Sequence, residues 1–344
     1  MTHIERLQQT GIRRLGTIKS GFRYASANGS RVSSADLARI KALKIPPAWS
    51  QVAVNRSAQG MLQAVGMDVA GRWQYLYHEN HVKKREQKKF ERLLKFAQTL
   101  PEMRKVVARD LRASDLGYAR VMACILRILS TCFLRPGSQI YASENGSYGI
   151  ATLKPRHVRV KGDVVEFDFQ GKRRIPQHRE LKDRQVAKVV RQLLKYPAAE
   201  VFKFRNEDGQ FVDVKRRHIN QRIKQVMGQS FSAKDFRTWA GTLICACVLA
   251  TSAEALPESK AGRKRRIVQA IKETAAVLGN TPAVCRSSYI YPHILESYER
   301  GRMIDRGAAT VEQLVNHRSV NLRRAEKALV RLLKSANGNR NVGK

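Results

Sequence analysis

Two tyrosines stand close together in the stretch PAVCRSSYIYPHI, and either phenol could serve as a nucleophile. Tyr289 and Tyr291 lie just before Pro292. An ordinary tyrosine has a pKa of about 10, so a phenol that attacks another group at neutral pH needs surroundings that favour its charged form. A tyrosine beside an isoleucine can equally be half-buried packing. The two interpretations are separated only by what the rest of the chain brings to the hydroxyl.

Net charge indicates what such a nucleophile would attack. The chain of 344 residues has 65 Lys and Arg against 28 Asp and Glu, a net charge of +37. A surplus of this size opposes compaction unless a polyanion neutralises it, so nucleic acid is the expected partner. A ribosome-like role and an acidic membrane surface are the weaker alternatives.

Attack of a phenolate on a phosphodiester places definite demands on the other side chains. Negative charge grows on the phosphoryl oxygens, and arginine can grip two oxygens at once. The departing 5′ oxygen needs a proton, which a lysine with a lowered pKa can supply. The expected set is two arginines, a lysine, one further donor and a tyrosine, with no requirement for a metal.

Composition describes a globular protein without membrane segments. The hydrophobic content is 43%, and no run approaches the roughly 20 apolar residues of a membrane span. The first residues lack the apolar core of a signal peptide, so we expect a cytoplasmic, nucleoid-associated protein. The number of cysteines is odd, and Cys245 and Cys247 are spaced poorly for binding zinc. We therefore predict reduced thiols in the core and no metal site.

The first part of the chain predicts a small β-rich domain. Short strand-like runs alternate with turn residues through residues 1–82. GFRYASANGSRVS is typical of a hairpin around Asn28 and Gly29, and the helix SADLARIKAL is expected to begin from the cap Ser34. The charged amphipathic helix at 82–100 contains the expected domain boundary.

Helical periodicity dominates the remainder. A long apolar helix at 115–134 is expected at the centre of a second core, and residues 149–177 alternate like strands with a tight turn at FQGKRR. The tail at 335–344 should fray. The fold class is therefore α+β with two domains, a small β-rich one at 1–85 and a larger, mainly helical one at 86–334. Further helices are predicted at 179–196, 213–228, 233–250, 265–279 and 308–334.

Five segments occur in an order that resembles type IB DNA topoisomerases of the compact bacterial and poxvirus kind. They are IPPAW…DVAGRWQYLYH, LRPGSQIYASENGSYGIATLKPRHV, FQGKRR, SAKDFRTWAG and GNTPAVCRSSYIYP, and they cover nearly the whole chain. The resemblance implies a DNA-clamping N-terminal domain and a catalytic domain of the topoisomerase IB and tyrosine recombinase type. It also implies a monomer that relaxes supercoiled double-stranded DNA through a 3′-phosphotyrosyl intermediate, strand rotation and religation, without ATP, metal or small-molecule cofactor.

The same resemblance assigns catalytic roles. Arg135 in FLRPG and Arg237 in KDFRTWAG are similar to the phosphate-gripping arginines, Lys172 in QGKRR to the general acid, and Tyr289 to the nucleophile. Poxvirus members have histidine where this chain has Asn280, whose amide can donate a hydrogen bond but cannot titrate. We expect a hydrogen-bonding role there. On the residues alone, Arg135 could instead form a structural salt bridge. The rivals within the same motifs are Arg173, Arg174 and Tyr291, and Tyr298 is a more distant one.

Further residues are expected to contact DNA. By resemblance, the segment GRWQYLYH enters the major groove with Gln74, Tyr75 and Tyr77, of which the two tyrosines lie on one face of a strand. Packing of Tyr75 or Tyr77 in the β core is the alternative. Tyr141 resembles another groove contact, and Lys234 resembles a minor-groove lysine near the scissile bond.

Three rival functions remain open from the sequence. A tyrosine site-specific recombinase shares the chemistry, but recombinases typically have H-x-x-R where this chain has Lys234-Asp235-Phe236-Arg237. A non-enzymatic architectural DNA-binding protein has no use for the ordered set of catalytic side chains. A metal-dependent nuclease would need clustered carboxylates, and the nearest candidates are Asp163, Glu166 and Asp168.

Overall fold

The chain divides into two compact units. The computed structural model describes residues 1–251, 259–305 and 319–338. One unit is Met1–Lys89 and the other Phe90–Lys344, and the division falls inside the long helix α3, Glu79–Asp110. A β-sheet forms the first unit and helices dominate the second, as the α+β prediction required. The proposed domain limits of 1–85, 86–334 and 335–344 stay predictions.

The first unit is a five-stranded antiparallel sheet covered on both faces. Its strand order is β2-β1-β3-β4-β5. Because neighbouring residues of a strand point to opposite faces, Val52 and Val54 pack with Ile40 of α2, while Ala53 packs with Leu7 of α1. The elements are α1 His3–Thr10, β1 Ile12–Thr17, β2 Gly21–Ser26, α2 Ser34–Ala42, β3 Ser50–Val54, β4 Leu62–Met67 and β5 Trp73–Tyr77.

One local prediction for this unit holds only as a short turn, and another was wrong. The main hairpin joins β1 to β2, and its turn lies just before Gly21, which pairs with Thr17. The turn at Gly29 closes only the isolated bridge between Ala25 and Arg31. Gly21 has φ +78, a conformation that suits glycine at a hairpin turn. The cap of α2 is Ser33 rather than Ser34, because Ser33 has the extended backbone of a cap and its hydroxyl accepts the Asp36 N–H at 3.1 Å.

The second unit is built around two buried helices. The apolar helix predicted at its centre is α4, and α8 is buried almost throughout its length. The five cysteines are buried thiols, as predicted, and burial raises the pKa of Cys245 and Cys247 to about 12. Its helices are α4 Tyr118–Cys132, α5 Gln139–Asn145, α6 Arg184–Leu194, α7 Arg216–Met227, α8 Ala233–Thr251, α9 Lys260–Leu278, α10 Pro282–Ser288, α11 Pro292–Glu299 and α12 Ser319–Gly338.

Strands in the second unit form two small antiparallel sheets. One is a meander in the order β6-β7-β8, and the other is the pair β9 and β10. Two short 3₁₀ turns precede β6, so the alternation predicted over 149–177 begins as strand only at Val158. The strands are β6 Val158–Lys161, β7 Val164–Gln170, β8 Pro176–Lys182, β9 Lys203–Arg205 and β10 Phe211–Asp213.

The helix predicted at 179–196 starts too early. Residues up to Lys182 continue β8, and α6 begins only after Asp183, whose carboxylate accepts the N–H groups of Gln185 and Val186. A carboxylate in that position caps the first turn and opposes the positive end of the helix dipole. Of the helix predicted at 308–334, residues 308–318 lie outside the described part of the chain, as does 339–344 of the tail.

Candidate active site

A cleft in the second unit gathers side chains from distant parts of the chain. It encloses about 660 Å³. Its walls are formed by the turn between β7 and β8, by α5, by the start of α7 and of α8, and by the end of α10. The predicted site residues that line it are Arg135, Tyr141, Lys172, Lys234, Arg237 and Tyr289.

The C-terminus of α9 holds the arginines of this region. Three consecutive carbonyls, at positions 277–279, each accept from a different guanidinium: that of Arg179, that of Arg237 at 2.8 Å, and that of Arg135 at 3.3 Å. The C-terminal end of a helix carries partial negative charge and unpaired carbonyls, so it stabilises clustered cations. Gly279 ends the helix at φ +60, a backbone conformation that favours glycine.

Arg237 is buried between two helix ends. Its guanidinium also donates to the carbonyl of Phe133, the residue that ends α4 in a left-handed conformation. Only 3% of Arg237 is exposed. Burial, and then the positive charge of Arg135, lower the pKa of Arg237, but its ordinary value is so high that it keeps its charge at neutral pH.

The side-chain amide of Asn280 uses its oxygen in a hydrogen bond and leaves its nitrogen without one among the described residues. Its Oδ1 accepts a hydrogen bond from Arg135. Its Nδ2 is buried and has no hydrogen-bond partner among the described residues. The oxygen and nitrogen positions follow from the bond to Arg135, which only the oxygen can accept. A buried amide donor left unpaired is costly, which makes this amide a candidate donor to a ligand. Asn280 itself is not among the residues that line the cleft.

Tyr289 lies in a strongly positive setting. It follows the last residue of α10, and the guanidinium carbon of Arg237 stands 5.0 Å from the centroid of its ring. Burial works to raise the pKa of Tyr289, but Arg237, Arg135 and Lys234 together outweigh burial, and the pKa is lowered. The phenolate form is therefore more accessible here than on an ordinary tyrosine.

The rival tyrosines occupy the core instead. Tyr291 is 7% exposed and Tyr298 is 2% exposed, and both belong to the main hydrophobic cluster of the unit. The ring of Tyr291 packs near that of His293, at 6.2 Å between centroids. Of these three tyrosines, Tyr289 is the one that lines the cleft.

The turn after β7 presents three cations to the cleft. Lys172 is exposed at the start of this turn, and Arg173 and Arg174 follow it with φ of +62 and +57. A hydrogen bond from the Gly171 N–H to the Ile175 carbonyl, at 2.9 Å, closes the turn. All three cations line the cleft, so geometry alone does not choose between them.

Comparison with known proteins identifies the family. A family model described as Eukaryotic DNA topoisomerase I, catalytic core, matches residues 78–316. The chain is also 32% identical, over 304 residues, to a DNA topoisomerase 1B of Acanthamoeba polyphaga mimivirus, and the match covers 87% of this chain and 90% of the relative. The chain belongs to the type IB DNA topoisomerase family. The resemblance drawn from the five sequence segments is thereby confirmed.

Other matches agree with this membership. A family model described as Bacterial DNA topoisomerase IB, N-terminal domain, matches residues 21–68. A DNA topoisomerase 1B of Vaccinia virus (strain Copenhagen) is 25% identical over 268 residues, which is 76% of this chain and 82% of the relative. The bacterial source and the monomeric state stay predictions.

The candidate DNA contacts of the N-terminal unit form a stacked row on and beyond β5. Tyr75 is 42% exposed and stacks on Tyr77 at 6.1 Å, so the two share a face as predicted. The Tyr77 ring also stacks on that of His81, with 5.3 Å between centroids, and the Arg85 guanidinium lies over the Tyr77 ring. Tyr77 also packs against the apolar cluster around Leu7, whereas Tyr75 is open to solvent.

Gln74 is held by a carboxylate. Its Nε2 donates to Asp68 at 2.8 Å, and Arg72 binds the same carboxylate at 2.9 Å. This arrangement fixes the orientation of the Gln74 amide and therefore the direction of its carbonyl oxygen. In the second unit, Tyr141 is 55% exposed on α5 and is accessible for a groove contact.

The carboxylates considered for a nuclease lie on the β6–β7 hairpin. Glu166 pairs with Lys161 at 3.1 Å. Within residues 1–251, 259–305 and 319–338, no group of three or more His, Cys, Asp or Glu is arranged to hold a metal ion. Over the same residues, no helix has the length and apolar character needed to cross a bilayer.

Several residues in the cleft or next to its side chains were missed by sequence reasoning. Arg216 and Asn220 of α7 line it, and the Asn220 Oδ1 also accepts the N–H of Ala233 at 3.1 Å. Arg179 was missed because its strand was predicted as helix. Gly241 and Thr242 contact the main chain of Tyr289. Gly241 closes the motif four positions after Arg237 and could have been inferred from helical spacing, since positions four apart share a face.

Proposed function

We propose that this protein relaxes supercoiled double-stranded DNA by breaking and rejoining one strand. The observation that carries the proposal is the setting of Tyr289, whose phenol lines the cleft. Burial works to raise its pKa, but the cations Arg237, Arg135 and Lys234 outweigh burial and lower it. Membership of the type IB family supports the same activity. The fold of the catalytic unit is proposed to be the one that these enzymes share with tyrosine recombinases.

Cleavage begins with attack on the scissile phosphorus. The Tyr289 oxygen forms a bond to phosphorus, and the bond from phosphorus to the 5′ oxygen breaks. The DNA 3′ end is then joined to the protein as a phosphotyrosine. Lys172 gives a proton to the departing 5′ oxygen, which leaves as a hydroxyl.

Arg135, Arg237 and Asn280 are the proposed donors to the non-bridging oxygens. The two guanidiniums are already anchored on main-chain carbonyls, so they need little reorganisation as charge develops. The Asn280 Nδ2 adds a neutral donor that has no other partner among the described residues. Preorganised donors of this kind stabilise the transition state more than they stabilise the free phosphodiester.

Religation reverses these steps after the DNA has rotated. The free 5′ hydroxyl attacks the phosphotyrosine, Lys172 takes back the proton, and Tyr289 leaves as a phenolate. The energy of the broken bond is kept in the phosphotyrosine, so ATP is not consumed. The two arginines and the asparagine already stabilise the charge on the phosphate, which is why we propose that no metal is required.

The basic surface and the N-terminal row are proposed to hold the duplex. Gln74, Tyr75 and Tyr77 are the candidate major-groove contacts, Tyr141 a further groove contact, and Lys234 a minor-groove contact near the scissile bond. The +37 charge would supply affinity without sequence preference, so binding should weaken steeply as salt rises. We further propose that the protein acts as a monomer at the nucleoid.

A plasmid assay tests this function directly. Supercoiled plasmid is incubated in EDTA without ATP with the wild type, Tyr289→Phe and Tyr291→Phe, and both topoisomers and covalent adducts are followed. We expect Tyr289→Phe alone to abolish relaxation and adduct formation. An architectural binder would leave topology unchanged, a metal-dependent nuclease would be silent in EDTA, and strand exchange between two sites would identify a recombinase.

A further inference from the structure

The main chain of Tyr289 rests directly on helix α8. A Cβ atom placed on Gly241 would lie 2.8 Å from the Tyr289 carbonyl oxygen and 2.9 Å from the Tyr289 Cβ. Real Cβ atoms do not approach other atoms so closely, so the helix and the tyrosine can be this near only because position 241 has no side chain. The contact fixes how far Tyr289 stands from the axis of α8.

The next residue of α8 binds the backbone on both sides of Ile290. The Tyr291 N–H donates to the Thr242 Oγ1 at 3.1 Å, and the Tyr289 carbonyl lies 3.2 Å from the same oxygen. The hydroxyl has one proton, which either that carbonyl or the Thr238 carbonyl, at 2.9 Å, can accept. Thr242 is fully buried, so water does not compete for these bonds.

Helix α8 also carries Arg237. Gly241 lies four positions after Arg237 and therefore on the same side of the helix, one turn along. The helix thus carries, on adjacent turns, the guanidinium that faces the phenol and the groups that hold the tyrosine main chain. The Tyr289 N–H itself donates to the Cys285 carbonyl of α10, at 3.0 Å.

From this geometry we propose that Gly241 and Thr242 are positioning residues for the nucleophile. They hold the Tyr289 main chain at a set distance and angle from Arg237, so that the phenol meets the phosphate in line. This inference rests on the function proposed above and adds to it the origin of the tyrosine's placement. Neither residue touches the DNA or the reacting atoms in this role.

Substitution at position 242 separates the hydroxyl from the volume of the side chain. Thr242→Val keeps the shape and removes the hydrogen bonds, whereas Thr242→Ser keeps the hydroxyl. We expect Thr242→Val to slow single-turnover formation of the covalent adduct by about 10- to 100-fold, the cost of a small misplacement of a reacting group. We expect Thr242→Ser to stay within roughly 3-fold of the wild type, since a serine hydroxyl can donate and accept the same hydrogen bonds.

A matched control is available in the neighbouring helix. Thr274 of α9 is also fully buried, and its hydroxyl donates to the Ala270 carbonyl at 2.7 Å without contacting either tyrosine in the described bonds. Thr274→Val should lower the melting temperature to a similar extent and leave the rate of adduct formation near that of the wild type. Equal slowing by Thr242→Val and Thr274→Val would overturn the proposal, because it would show a general effect of core polarity.

The pH profile adds a readout that simple destabilisation would not move. If Thr242→Val lets the phenol shift from Arg237, the alkaline rise of the cleavage rate should move to higher pH, and Thr242→Ser should restore it. An unchanged profile together with an unchanged rate would refute the positioning role. If Thr242→Val does not fold, Gly241→Ala serves in its place. It should slow adduct formation by a comparable factor, and a rate equal to the wild type would overturn the proposal.

The same experiment keeps this inference apart from the proposed function. Should the wild type form no adduct, or form it in Tyr289→Phe, the proposed function itself would be wrong. Should the wild type form the adduct at Tyr289 while the variants at 241 and 242 react normally, only the positioning role would fail.

Discussion

The Arg135 guanidinium donates to the Oδ1 of Asn280, and this bond leaves the Asn280 Nδ2 directed away from Arg135 with no partner among the described residues. An arginine that would bind a phosphate thus orients a neutral amide that can bind the same phosphate. The pair gives a physical reason why asparagine can stand where the poxvirus members have histidine. We propose that a donor is sufficient at this position and that a titrating group is not needed.

Replacement of Asn280 tests that interpretation. Asn280→Ala should slow cleavage by about 10²-fold, the usual cost of removing one preorganised donor from a developing charge. Asn280→Asp should be slower still, because a carboxylate would repel the phosphate and neutralise Arg135. Asn280→His should retain most of the rate, since imidazole can also donate. Single-turnover cleavage of a short duplex measures all three, and an unchanged rate in Asn280→Ala would refute the role.

The lowered pKa of Tyr289 predicts how the rate should depend on pH. Cleavage should rise with pH as the phenol loses its proton, and the lowered pKa places this rise below the pH expected for an ordinary tyrosine. Lys234 contributes to the lowering, so Lys234→Met should raise the pKa of Tyr289 and move the rise to higher pH. The measurement is the pH profile of adduct formation under saturating protein.

A lysine remote from the cleft provides the control for this shift. Lys188 is exposed on α6 and is not among the residues that line the cleft. Lys188→Met removes the same charge from the whole protein without removing a proposed DNA contact, so its pH profile under saturating protein should stay that of the wild type. An equal displacement of both profiles would mean that the local field of Lys234 is not the cause.

The choice among Lys172, Arg173 and Arg174 can be made with a modified substrate. If Lys172 protonates the departing 5′ oxygen, Lys172→Ala should slow cleavage by about 10²- to 10⁴-fold. Sulfur in place of that oxygen leaves as a thiolate, which needs no proton because its pKa is several units lower than that of an alcohol. Lys172→Ala should then recover most of the rate on the sulfur substrate.

The neighbouring arginines serve as controls in the same assay. Arg173→Ala and Arg174→Ala should lower affinity for DNA, and sulfur should not rescue them selectively if their role is to bind the backbone. Selective rescue of either arginine variant, with none for Lys172→Ala, would transfer the general-acid role to that arginine's position. No rescue in any of the three would remove the role from this turn.

Residues with a distinctive neighbourhood in sequence were predictable, whereas the main-chain groups that hold them were not. Arg135, Arg237 and Tyr289 were found through their motifs, and the structure brings them together although the first and last are 154 positions apart. The anchoring of three arginines on carbonyls 277–279 could not be predicted, because a carbonyl has the same chemistry at every residue. Only the fold decides which carbonyls become available at the end of α9.

Local structure shows a similar division. Long apolar periodicity placed α4 and α8 correctly, since burial of a whole face leaves a repeating pattern. The boundary at Asp183 was missed because β8 and α6 are joined without a turn signal, and polar residues at the end of the strand resemble the first turn of a helix. The cap of α2 was misplaced by one residue because Ser33 and Ser34 are chemically equal and differ only in backbone conformation.

The C-terminal helix offers a prediction about stability. Glu326 of α12 is 8% exposed, and its Oε1 accepts from the Arg104 guanidinium of α3 at 2.8 Å and from the Trp239 indole of α8 at 3.2 Å. Glu326→Ala would leave a partly buried guanidinium and a buried indole N–H without this acceptor. We expect a loss of about 3 kcal/mol in the free energy of unfolding, or a fall in melting temperature of roughly 6–10 °C.

Glu102 is the matched control for Glu326, because it pairs with Lys105 at 3.2 Å on the exposed side of α3, where 65% of its side chain is accessible. Exposed pairs of this kind contribute about 0–1 kcal/mol, so Glu102→Ala should leave the melting temperature nearly unchanged. Glu326→Gln should lie between the two, since it keeps an acceptor for Trp239 and loses the charge that attracts Arg104. Equal melting curves for Glu326→Ala and Glu102→Ala would show that α12 is not secured by the buried carboxylate, and its attachment would then rest on apolar packing of residues such as Leu329 and Leu333.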